Sequence, residues 1–258
     1  MTRGRRLSFR SYPAVLVPLA FAVCSPAQPA PQGTAAFDSY VASVESRLAD
    51  QHRSAETFLA SVDWVRLHGA EPVVEHLTAD LEAGAAGATI HHWRGTFFAP
   101  GATAAEFEQL LKNFECYPDV FAPQVVAARV LGHEGDRTQV WMRTRQRHGL
   151  SVTLDATYNV IFGELDAAHR DSTSRSTRIE QIEPGAHAFD GLLWRQNTYW
   201  SWEERDGGVA VQIESVSLTR SIPHGMGWAI GAFVERVPRE ELEFTLRSAR
   251  AALRRTGR

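Results

Sequence analysis

The chain has 258 residues, 44% of them hydrophobic and 22% charged, with 27 basic residues against 30 acidic ones. That apolar share is enough for a packed core and excludes a disordered chain. The acidic balance argues against a nucleic-acid binder, whose folded domain would carry a basic excess, and the two cysteines, Cys24 and Cys116, exclude an internal disulfide framework.

At the N-terminus Arg3, Arg5, Arg6 and Arg10 precede the apolar run Ala14 to Val23 and then Ser25-Pro26-Ala27. Basic, apolar and small segments in that order predict a secretory signal peptide, residues 1–27, and hence a periplasmic or secreted protein. The apolar run is about half the roughly 20 residues that a spanning helix needs. Cys24 offers a lipoprotein alternative, which bulky Val23 just before it disfavours. Without residues 1–27, and so without those four arginines, 23 basic residues face 30 acidic ones. Cys116 then stands alone and reads as a small buried hydrophobe.

Residues 28–36, rich in Pro, Ala and Gln, read as a tether. Phe37, Val41, Val44, Leu48, Phe58 and Leu59 recur at helical spacing and predict an amphipathic helix over 36–60 whose apolar face needs a partner. A short strand over 72–77 and the small-residue link 84–88 complete an extension, 28–87, ahead of the main domain, 88–258. In that domain Ile90 to Phe98 reads as a strand closed by Pro100-Gly101. Thr103 with Glu106 forms a capping box for a helix bearing Phe107, Leu110, Leu111 and Phe114 on one side. That helix stops near Tyr117-Pro118.

Strand-like runs follow at 124–131, 138–147, 151–163, 174–183, 193–204 and 209–220. Their short links carry turn residues, as in Gly132-His133-Glu134-Gly135-Asp136 and Arg205-Asp206-Gly207-Gly208, and predict an antiparallel meander. The helical period returns from Trp228 to Leu253, with an interruption expected at Pro238. The order strand, helix, antiparallel strands, long helix defines an α+β, helix-grip architecture: a curved antiparallel sheet wrapped around the C-terminal helix, which buries its inner face.

Within residues 109–131 a helix is followed by Glu115, the pair Tyr117-Pro118, Phe121, Pro123 and the strand Val125 to Leu131. This segment resembles the corresponding region of the START, Bet v1 and polyketide-cyclase superfamily, and the likeness extends in topology over about residues 88–255. The resemblance implies a deep cavity between sheet and final helix that receives a lipid or other apolar small molecule. It implies Tyr117 and Phe121 at the cavity mouth, and Trp228 and Phe233 at the start of the final helix. Transient membrane contact fits such a partner, and no cofactor is implied.

The strand 193–204 places Trp194, Gln196, Thr198, Trp200 and Trp202 on one face and Arg195, Asn197, Tyr199 and Ser201 on the other. Neither face is plainly aliphatic, so one of them is a candidate cavity lining. Arg195, Asn197 and Tyr199, with Trp141 and Tyr158 on the neighbouring strands, complete the candidate pocket. Arg143, Arg145, Asp155 and Asn159 interrupt the adjacent strands, and any that point inward need partners.

No catalytic motif of the metalloprotease, nucleophile-elbow, phosphate-loop or paired-cysteine kind is present. Adjacent His91 and His92 on a strand point to opposite faces, and no metal site is expected. Tyr158, Tyr199, Asp155, Glu214 and Arg195 have the chemistry for acid–base work in a closed site. Three classes therefore stay open: a carrier of an apolar molecule, a cyclase, aromatase or hydrolase using the same cavity, and an interaction module whose aromatic side chains fill the cavity themselves. Ligand identity and oligomeric state are beyond the sequence.

Overall fold

The computed structural model describes residues 31–61, 64–69, 71–77, 81–82, 87–148, 150–182, 192–221 and 227–256. The expected leader, 1–27, lies outside them, as do the side chains of Trp228 and Phe233. Among the described residues no helix is long and apolar enough to cross a membrane.

In chain order the elements are α1 (Pro31–Gln51), α2 (Trp64–Leu67), β1 (Val73–His76), β2 (Leu81–Glu82), β3 (Ala88–Pro100), α3 (Ala104–Lys112) and α4 (Tyr117–Val120). The strands β4 (Val125–Glu134), β5 (Arg137–His148), β6 (Leu150–Glu164), β7 (His169–Gln181), β8 (Leu193–Arg205) and β9 (Gly208–Arg220) follow, and α5 (Gly227–Thr256) closes the chain. All nine strands form one antiparallel sheet in the order β1-β3-β9-β8-β7-β6-β5-β4, with β2 also on β3. Because β4 to β9 are joined in sequence order, every neighbour from β4 to β9 is a hairpin partner. Only β3 is placed non-locally, pairing thirteen residues with β9 from Ala88–Arg220 to Pro100–Gly208.

On the sheet's inner face α3 and α5 pack on a core that includes Phe97, Phe107, Trp202, Val211 and Ile213, with Leu242, Leu246, Ala249 and Leu253 from α5. This is the helix-grip arrangement. Gly95 is where α5 comes closest: a Cβ there would stand 2.4 Å from Leu246 Cδ1. The capping box of α3 forms, with Thr103 accepting from Glu106 N and the Glu106 carboxylate accepting from Thr103 N. The chain beyond α3 tightens into a 3-10 turn, Phe114–Cys116, and then α4, whose start at Tyr117 tolerates Pro118 because the first turn of a helix has no use for that N–H. The break expected at Pro238 does not occur: α5 runs through it as one helix.

The predicted helix 36–60 is shorter at one end and longer at the other. It ends at Gln51, and Ser54 then caps a separate 3-10 turn, Ala55–Thr57, that delivers Phe58 to a fully buried position stacked on His52. The partner its apolar face needs is the outer face of the sheet: Phe37, Val41, Val44 and Leu48 pack on Ala88, Ile90, Tyr199, Val216 and Leu218.

Polar groups lock α1 there. Glu214 of β9, 1% exposed, accepts from Arg94 Nε and Nη2 at 3.0 and 2.9 Å, from His92 Nε2 at 2.7 Å and from Arg47 of α1. The other ring nitrogen of His92, Nδ1, lies 2.9 Å from the Tyr40 hydroxyl of α1, in hydrogen-bond contact. A second contact joins Glu45 of α1 to Arg175 and to the Tyr199 hydroxyl. Burial pushes the Glu214 carboxyl up, but the His92 hydrogen bond and the Arg94 and Arg47 guanidinia outweigh it and hold the group at about 2.

Three outcomes follow from this packing. Gly95→Val forces Leu246 aside in a filled core and lowers unfolding free energy by about 1–3 kcal/mol in a denaturant titration. Glu214→Gln leaves the half-buried Arg94 with only the exposed Glu75 carboxylate, 3.9 Å away, and costs about 1–3 kcal/mol at neutral pH. For the native chain the carboxyl is depressed in the folded state, so its contribution is complete above its ordinary value of 4.5 and is lost as pH falls from there toward about 2; thermal melts across that window therefore fall more steeply in the native chain than in Glu214→Gln.

Candidate functional site

Between the inner face of the sheet, the α3–α4 segment and α5 lies a cavity of about 290 Å3. One wall is aliphatic and aromatic, formed by Val140 and Met142 of β5 and by Leu154, Ala156, Val160 and Phe162 of β6. The opposite wall, from β7 to β9, is rich in hydroxyls: Ser172, Ser174, Thr198, Ser215, Ser217 and Thr219. Strand register explains this grading. In one row Gly95, Ile213, Trp200, Ser172 and Phe162 lie side by side, and in the next Trp93, Ser215, Thr198, Ser174 and Val160 do. One end is therefore shut by aromatic groups, with Phe107 edge-on to Phe97, Trp200 and Trp202 at 5.2–6.1 Å. The Trp202 indole N–H in that plug is satisfied, donating to Ala104 O.

Tyr117 and Phe121 line the cavity from α4 and the residue after it. They stack edge-on at 5.0 Å, and the Tyr117 hydroxyl donates to Leu111 O, tying α4 back to the end of α3. Tyr158 lines it from β6 and donates to Gln196 Oε1 at 3.2 Å across β7. Burial, with the Glu241 carboxylate of α5 as a smaller influence, pushes the Tyr158 phenol up, so it stays protonated. From α5 the lining includes Pro238, Glu241, Leu242 and Thr245.

The other expected pocket residues go elsewhere. Asn197 and Tyr199 face outward under α1, where Asn197 Nδ2 donates to the Tyr199 hydroxyl at 3.3 Å. Arg195 also faces outward, over the Phe37 ring at 5.4 Å and 3.6 Å from Asp38. A bulge between Leu193 and Arg195 sends Trp194 outward too, so Trp194 and Arg195 share a side and the inner face reads Leu193, Gln196, Thr198, Trp200. Trp141 alternates away from Val140 and Met142, flanked by Arg129 and Arg143 at 4.8 and 5.3 Å. Trp228 and Phe233 belong to α5 by backbone, and their side chains are outside the described residues.

Of the candidate acid–base groups, Asp155 is spent on a two-point pair with Arg143 at 2.7 and 2.8 Å, and Glu214 lies beneath α1. His91 and His92 do face opposite ways, His91 bonding Thr219 inside and His92 bonding Glu214 outside. Among the described residues no group of three His, Cys, Asp or Glu side chains stands close enough to hold a metal ion.

Sequence reasoning missed Trp93. It lines the cavity from β3 with its ring stacked on His76 at 4.1 Å, and its indole N–H is buried with no partner among the described residues. The only sequence signal was its place in an alternating strand beside a small-residue turn.

No family model and no curated protein matches the sequence. Among solved structures the chain is similar to TTHA0849 from Thermus thermophilus, at 15% identity and a TM-score of 0.49, covering 63% of this chain and 97% of that one. It is similar to the Zhui aromatase/cyclase from Streptomyces sp. R1128, at 16% identity and 0.48, over 66% of this chain and 96% of that one. A STAR-related lipid transfer protein fragment from Xanthomonas axonopodis gives 18% identity and 0.44, over 70% and 98%.

An unpartnered buried donor costs about 1–3 kcal/mol. Trp93→Phe therefore leaves unfolding free energy of the ligand-free protein unchanged or higher by up to that amount; a loss above about 1 kcal/mol would show that the N–H is already satisfied.

Proposed function

We propose that this is an exported binding or carrier protein that encloses a lipid-like or other apolar small molecule in the cavity between sheet and α5. The observation that carries the reading is the cavity itself. At about 290 Å3 it is close to the smallest volumes typical of small-molecule sites, which run from about 300 to 1,000 Å3. Its β5–β6 wall is apolar where a self-filled core would interdigitate, and the aromatic plug occupies one end only.

The chemistry of the lining favours holding over reacting. Glu241 is the sole carboxylate among the described lining residues, and the two phenols there, Tyr117 and Tyr158, already donate to Leu111 O and Gln196. Acid–base catalysis needs titratable groups converging on a reacting atom, and here they are spread over α4, β6 and α5. The leader expected at residues 1–27 places the carrier in the periplasm or outside the cell.

Filling the cavity tests the reading. Ala156 sits on the apolar wall, so Ala156→Phe occupies space that the ligand would take. Binding of a neutral fluorescent apolar dye is expected to weaken at least about tenfold, about 1.4 kcal/mol, while the far-ultraviolet circular dichroism stays native. Native affinity in a folded Ala156→Phe protein would remove the cavity as the binding site.

A further inference from the structure

An unbroken register turns the hydroxyls of the β7–β9 wall into the cavity. The row runs from Trp93 on β3 through Ser215, Thr198 and Ser174 to Val160 on β6, and no bulge interrupts it. It shares the inner face with Ile213 and Trp200 of the core, while the residues next to it in sequence, Glu214, Tyr199 and Arg175, bond outward to α1. Ser215, Thr198 and Ser174 therefore form a ladder of three hydroxyls on strands about 4.8 Å apart, with Ser172 and Ser217 in the rows on either side. None of the five has a hydrogen-bond partner among the described residues, whereas Thr219 farther along β9 meets His91 and Gln196 of β8 accepts from Tyr158. Ser172 and Ser217 are buried nonetheless, at 3% and 8% exposure.

A wall that met only apolar surface would carry aliphatic side chains, as the β5–β6 wall does with Val140, Met142, Leu154, Ala156 and Val160. A buried hydroxyl left without a partner is worse than an aliphatic group of the same shape, so the ladder is matched by something inside the cavity. A hydroxyl both donates and accepts, and it suits neutral carbonyl, hydroxyl or ether oxygens without any compensating charge.

Resting on the carrier reading above, we infer that the ligand is a neutral, largely apolar molecule bearing several oxygens along one side. That side lies across the Ser215–Thr198–Ser174 ladder, and the bare side lies against β5 and β6. A molecule with a single polar end engages one rung of the ladder only. The hydroxyls then select a ligand by where its oxygens sit, while the apolar wall supplies most of the affinity.

The test uses the full chain loaded with Nile red, a neutral apolar dye, displaced at neutral pH either by fluorene, which has no oxygen, or by 2,7-dihydroxy-9-fluorenone, whose oxygens lie along one side of the same ring system. The ratio of the two affinities is compared between the native protein and Thr198→Val, Ser174→Ala and Ser215→Ala, each with native far-ultraviolet circular dichroism. Loss of one neutral hydrogen bond lowers the preference for the oxygenated compound about 3–10-fold, and at least two of the three variants are expected to show it with fluorene binding unchanged or tighter. A ratio that stays constant in all three, as when water serves the hydroxyls, or that falls in one variant only, overturns the inference and leaves the carrier reading intact. Failure of the native protein to take up the dye or either compound overturns the carrier reading itself.

Discussion

Burying both faces of one antiparallel strand is the constraint on which this fold depends. An antiparallel sheet ordinarily keeps one face in water, but β9 is covered on both sides, α3 and α5 lying over the inner one and α1 over the outer one. Inner-facing Val209, Val211 and Ile213 reach the core, and outer-facing Val216 and Leu218 reach α1. Glu214 is the outer-facing residue that cannot simply be apolar, and the Arg94, His92 and Arg47 contacts make its burial tolerable. Such a cluster stabilises only when complete, since removing one partner leaves a desolvated charge behind. It fixes where α1 sits as much as how tightly.

With α1 holding the outer face and α5 crossing over Gly95 on the inner one, the space left between β5, β6 and α4 is what becomes the cavity. Its character follows from which strands surround it. The hairpins β5 and β6 supply branched and aromatic side chains inward and keep Arg143, Asp155 and Trp141 outward. β7, β8 and β9 supply small hydroxyl residues inward, which leave room where larger side chains would close the space. Both halves are needed: aliphatic groups throughout would favour a dry filled core, and hydroxyls throughout would favour water.

Much of the architecture was legible in the sequence because alternation and turn chemistry are local. The capping box at Thr103 and Glu106, the Arg205 to Gly208 turn and the meander of long strands needed no tertiary information. The cavity lining was harder to read. Tyr117, Phe121 and Tyr158 do line it, but alternation alone could not say which face of β8 looks inward, because α1 makes the outer face as buried as the inner. The bulge at Leu193–Arg195, invisible in residue types, shifts Trp194 to the outer side and helped to misplace Arg195. The end of α1 was misread for a similar reason: Phe58 and Leu59 continue the helical period but lie beyond it around a separate turn, Phe58 fully buried and Leu59 partly so.

Native mass spectrometry of the protein, purified without detergent from an expressing cell, decides whether the cavity encloses an apolar small molecule. An enclosed ligand gives a stoichiometric adduct that survives gentle ionisation, is released on denaturation and partitions into organic solvent. A bare chain mass, with no adduct formed after incubation with lipids, sterols, quinones and fatty acids, would contradict enclosure.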